Sequence, residues 1–117
     1  MITKVDNNEL AVIWSSSNPD VAKTTVVMYT LNAKCREWWD KVHLIVWGPS
    51  AKLLSEDQVL QEKVKEMMSA GVKVTACREN ADIYGVADVL ANMGIDVRYM
   101  SEPVTEMLKN GCKLITF

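Results

Sequence analysis

Apolar side chains gather in five short runs along this chain, at residues 10–14, 42–47, 72–77, 95–100 and 113–117, separated by stretches whose apolar positions recur three or four residues apart. Short apolar runs bounded by turn residues read as strands, and the longer period reads as amphipathic helix. The first run stops at a row of serines. Asn18 then suits a helix N-cap and Pro19 its first turn, and Ala22, Val26, Tyr29 and Ala33 make one apolar face that continues to Arg36. The second run ends at Gly48, Pro49 and Ser50. Ser55 and Gln58 have capping-box spacing and predict a helix that starts there, turns Leu60, Val64 and Met67 inward and closes at Gly71. A single helix is predicted over 80–92, with Ile83, Val86, Leu90 and Met93 inward and Gly94 as its stop. A short helix over 103–109, stopped by Gly111, leads to the last strand.

Strand and helix alternate with short connections and no linker, so one α/β domain over residues 1–117 is expected, a five-stranded parallel sheet in a three-layer α/β/α sandwich. The composition, 49% apolar and 24% charged, suits a globular chain able to bury a core without disulfide or metal. A net charge of −2 lacks the basic surplus of nucleic-acid or anionic-membrane binders, so neither partner is expected. The start from Met1 to Glu9 is polar, and no apolar run approaches the ~20 residues that span a bilayer, which points to a cytoplasmic protein. Cys35, Cys77 and Cys112 are odd in number and fit neither a disulfide framework nor a zinc site, so at least one free thiol and no metal are expected.

In an open parallel sheet, ligands collect beyond the carboxyl ends of the strands. That rule selects Ser15, Ser16, Ser17 and Asn18 after the first strand, Trp47, Gly48, Pro49 and Ser50 after the second, Cys77, Arg78 and Asn80 after the third, and residues 100–102 after the fourth. The hydroxyl and amide groups of this set suit a small anion or nucleotide. Cys77 alone of the cysteines belongs to it. A helix N-terminus and Arg78 would stabilise its thiolate, whereas packing as a small hydrophobe is the competing reading, and both stand. Cys35 and Cys112 read as packing residues.

His43, the one histidine, lies within the second strand and reads as structural, leaving no Cys-His or Ser-His pair. Residues 17–24 have the length and Lys-Thr ending of a P-loop, but Ser17 and Ala22 stand where its glycines belong, so only a generic anion site is retained. No cofactor is called for by the residues. A flavin, its phosphate on the serines and its ring on Trp47 or Tyr99, is a subsidiary reading. Met67, Met68, Met93 and Met107 have core spacing. The adjacent indoles of Trp38 and Trp39 point to a subunit interface for at least one of them.

The serine turn after the first strand, residues 42–54 with their Gly-Pro-Ser turn and Leu-Leu ending, and residues 74–85 with Cys77, Ala81 and Gly85 together resemble the DsrE-like family. The likeness runs over the whole chain. That family comprises small flavodoxin-like (DsrEFH-like) proteins, TusD-like sulfur-relay subunits and YchN-like proteins among them. The resemblance implies a sheet order of 4-3-2-1-5 and a homo-oligomer, a trimer or hexamer. It also implies a sulfurtransferase or sulfur-carrier role in which Cys77 accepts persulfide sulfur from a donor protein and passes it to an acceptor. The alternative is a homo-oligomeric binding protein of the same family, without relay activity, that holds a small anion or nucleotide.

Overall fold

The computed structural model describes residues 8–117, so Met1 to Asn7, most of the polar start, lie outside the described residues. β1 (Glu9–Trp14), β2 (Lys41–Val46) and β3 (Lys73–Cys77) each begin with an exposed charged residue and continue as a wholly buried run. Strands buried on both faces belong in the middle of a parallel sheet. β4 (Asp96–Arg98) and β5 (Lys113–Thr116) are short and mostly exposed, as edge strands tend to be. The sheet has the order β4-β3-β2-β1-β5 and every pairing is parallel.

The connections follow from that order. The steps from β1 to β4 all run in one direction, and right-handed crossovers then place their helices on a single face. These are α1 (Pro19–Val21), a π-helical segment (Ala22–Val26) and α2 (Val27–Cys35), then α3 (Ser50–Glu56) and α4 (Gln58–Ser69), then α5 (Arg78–Ile83) and α6 (Ala87–Asn92). The return from β4 to β5 reverses direction and puts α7 (Ser101–Lys109) on the other face. The core divides accordingly. Trp14, Leu44, Leu60 and Leu90 belong to a large cluster under the first group of helices, and Ala11, Ile13, Ile45 and Cys77 form a smaller one with Met100 and Val104 under α7. The architecture is thus the expected five-stranded parallel α/β/α sandwich of flavodoxin type. Among the described residues, no helix is long and apolar enough to cross a membrane.

Two helix assignments need correction. The helix predicted to start at the Ser55–Gln58 capping box is preceded by α3, which begins at Ser50. Ser55 Oγ donates to the Lys52 carbonyl at 2.7 Å inside α3, and Asp57, in extended conformation, caps α4 by accepting from Leu60 N at 3.1 Å. The helix predicted over 80–92 is broken. Gly85 sits at φ +68°, Val86 N donates to Ala81 O at 2.8 Å and Gly85 N to Asp82 O at 3.1 Å, the paired bonds that close a helix on a left-handed residue. The break shifts the helical phase, so Ile83, expected inward, is 73% exposed while Val86 and Leu90 are buried.

Candidate functional site

The carboxyl ends of β1, β2 and β3 are stitched together by the residues the sequence singled out. The Trp14 carbonyl accepts from Trp47 N at 3.0 Å and from the buried Ser50 hydroxyl, which also reaches the Trp47 carbonyl at 3.2 Å. Ser50 N donates to the Ser15 carbonyl at 3.2 Å, and Gly48 N donates to Asn80 Oδ1 at 2.9 Å. Gly48 has to be glycine here: its φ is +83°, and a Cβ would stand 3.1 Å from Ser15 Oγ.

These bonds engage the Gly48 and Ser50 amides and the Ser50 hydroxyl. Ser15 N and Ser16 N both go to the Phe117 carbonyl, at 2.8 and 3.2 Å. Asn18 caps the first helix as expected: its Oδ1 accepts from Asp20 N at 2.8 Å and Val21 N at 3.2 Å, while Asn18 N donates to Ser16 Oγ at 3.1 Å. Asn80 acts as a brace between two loops. Its replacement by alanine strands the Gly48 amide and should cost about 1–2 kcal/mol of unfolding free energy, read as a lowered urea midpoint with unchanged slope.

Cys77 ends β3 and is the N-cap residue of α5, in extended conformation. Its side chain faces α7, packed with Ile45, Met100 and Val104, and is only 1% exposed. Trp47 adjoins the same cluster. A cavity of about 330 Å³ lies nearby, lined by Ser17, Pro49, Lys52, Leu53, Glu56 and Tyr84. Of the predicted set only Ser17 and Pro49 reach it, and Cys77 does not. Lys52 and Glu56 escaped the sequence reading because a helix starting at Ser50, which puts them one turn apart, was hidden by the capping-box assignment. Arg78 pairs with Asp82 at 3.7 Å on the exposed side of α5.

The other two cysteines lie at the opposite edge. Cys35 is exposed at the end of α2, and Cys112 is half-buried before β5, where burial and the nearby Glu9 carboxylate push its thiol above the ordinary value. His43 is buried, its Nε2 2.9 Å from Thr75 Oγ1, and burial, helped by Lys73 and opposed by Asp96, lowers its pKa to about 4. Trp39 Nε1 donates to Tyr29 Oη at 3.1 Å, and the more exposed Trp38 lies tilted against the same tyrosine, ring centroids 6.0 Å apart and planes at 36°. No three His, Cys, Asp or Glu side chains converge as a metal set among the described residues.

The conserved protein of unknown function BT1422 from Bacteroides thetaiotaomicron superposes with a TM-score of 0.92 at 40% sequence identity, over 95% of this chain and 96% of that one. The chain belongs to the BT1422 family. The ychN protein from E. coli matches with a TM-score of 0.69 at 14% identity, over 93% of this chain and 97% of that one. The protein of unknown function MTH1491 from Methanobacterium thermoautotrophicum matches at 0.70 and 16%, over 93% and 98%. These two likenesses concern the fold alone and make it the DsrE-like form of the flavodoxin-like architecture. No protein-family model matches the chain, and the curated proteins contain no match.

Proposed function

We propose that this member of the BT1422 family carries sulfane sulfur on Cys77, within a homo-oligomer. One observation carries the reading: Cys77 is the cysteine at the carboxyl edge of the sheet, at the junction of β3 and α5, while Cys35 and Cys112 lie at the other edge. Three unbridged cysteines suit a reducing compartment such as the cytoplasm.

In the loading step the Cys77 thiolate attacks the outer sulfur of a donor persulfide. The donor S–S bond breaks, the donor leaves as a thiolate, and Cys77 becomes a persulfide with no net oxidation. Transfer is the same displacement by an acceptor thiolate on the outer sulfur, with Cys77 as the leaving group. The packing of Met100 and Val104 over Cys77 would shield the persulfide between the two events, and both events require that cover to shift.

Burial of Cys77 also favours the second reading, a homo-oligomeric binding protein in which this side chain is only packing. Intact-mass spectrometry after incubation with a persulfide donor separates them. A gain of about 32 Da per sulfur is expected in the native chain and in a Cys35, Cys112 double replacement, and no gain in Cys77→Ala. No gain in any chain, or equal gain at all three cysteines, sinks the carrier and leaves the binding protein.

A further inference from the structure

At the amino edge of the sheet, the ends of β1, β2 and β3 leave a cavity of about 230 Å³. Its wall includes Lys34, Lys41 and Lys73 against a single carboxylate, Glu9, with His43 and Met107 beside them. Glu9 stands opposite Lys41 and His43 opposite Lys73 in the strand register. None of the three lysines has an ion-pair partner among the described residues, so their charges are free to meet a ligand. Lys34 is held in place by donating to the Asp40 carbonyl at 2.7 Å. His43 uses Nε2 on Thr75, and its Nδ1 has no partner among the described residues.

Ammonium groups that line one space repel each other. An anion in that space reverses the balance, and charge-assisted hydrogen bonds from the lysines would hold it. We propose that this cavity binds a small oxyanion, a phosphate or a dicarboxylate. The site lies at the opposite end of the strands from Cys77, so it stands or falls independently of sulfur transfer.

The single histidine makes the test clean, because its ring protons are the only imidazole resonances of the chain in a proton NMR spectrum. Phosphate and malonate are added separately, each against chloride of equal ionic strength, since salt alone screens Lys73 from His43. Either anion, if bound, should shift the His43 resonances saturably and raise the titration midpoint by about one unit, as a nearby negative charge favours imidazolium. A phosphate response without a malonate response assigns a tetrahedral oxyanion, and a malonate response admits carboxylates. Lys41→Gln with Lys73→Gln should raise the starting midpoint and weaken anion binding at least about tenfold. Lys41→Arg with Lys73→Arg should keep the response, which shows that loss in the Gln pair is not loss of fold. Shifts no larger in phosphate or malonate than in chloride, or an unchanged response in the Gln pair, would overturn the site.

Discussion

Replacing Trp14 by alanine should remove about 3–5 kcal/mol of unfolding free energy, the usual range for emptying a buried aromatic site. The ring is 1% exposed at the end of β1 and packs in the larger core cluster, so its loss leaves a cavity the surrounding strands cannot close. Its indole N–H also donates to the Ser16 carbonyl at 3.0 Å, which anchors the serine turn. A small domain has only about 5–15 kcal/mol in total, so the variant should unfold at far lower urea concentration, with a fraction unfolded near body temperature. Trp38→Ala is the control: that ring is 53% exposed, and its replacement should cost under about 1 kcal/mol. Similar losses for the two variants would show that Trp14 is not the packing centre of the carboxyl edge.

Acid should destabilise the chain through His43, and the sign follows from which state takes up the proton first. The folded pKa is about 4, against an ordinary value of 6.5, chiefly because burial disfavours the charged ring and secondarily because Lys73 repels it, with Asp96 acting the other way. Below pH 6.5 the unfolded chain binds a proton that the folded chain still refuses. Stability therefore falls as pH drops from about 6.5 to about 4 and then levels, a loss of about 3 kcal/mol from this one residue. Asp57, held below the usual carboxylate range first by the Leu60 amide, adds its loss only at lower pH, so the two effects separate. Urea unfolding across that range should show the slope in the native chain and flatten it in His43→Gln. Parallel curves for the two chains would refute the assignment.

The order of strands and helices was legible because the strands are uninterrupted apolar runs and the turns carry Gly, Pro and Asn. The break inside residues 80–92 was not, because Gly85 in a helical pattern is tolerated often enough to pass as interior, and only its positive φ reveals the stop. The capping-box spacing of Ser55 and Gln58 misled for a related reason: Asp57 sits between them and competes for the same amides. Asn18 as a helix cap was legible in the sequence, and Ser15, Gly48, Ser50 and Asn80 adjoin at the carboxyl edge, yet sequence does not reveal that Asn80 and Ser50 spend their hydrogen bonds on the backbone of adjoining segments. Nor does it show that Cys77 turns toward α7 and away from the cavity beside Ser17, since strand parity fixes the face but not what covers it. The lysine-lined cavity was hidden because Lys34, Lys41 and Lys73 come from three separate elements and each reads alone as a solvated charge.

Among the described residues, six helices and a π-helical segment share one face of the sheet, and α7 alone covers the other. The two sides therefore need not share one stability. Undocking a nine-residue helix uncovers Ile45 and Cys77 while the cluster around Trp14 and Leu44 stays shut. Access to the thiol is then set by a sub-global opening, whose free energy is that of one amphipathic helix leaving its sheet, and a partner that grips α7 in the displaced position would expose Cys77 without loosening the rest of the fold.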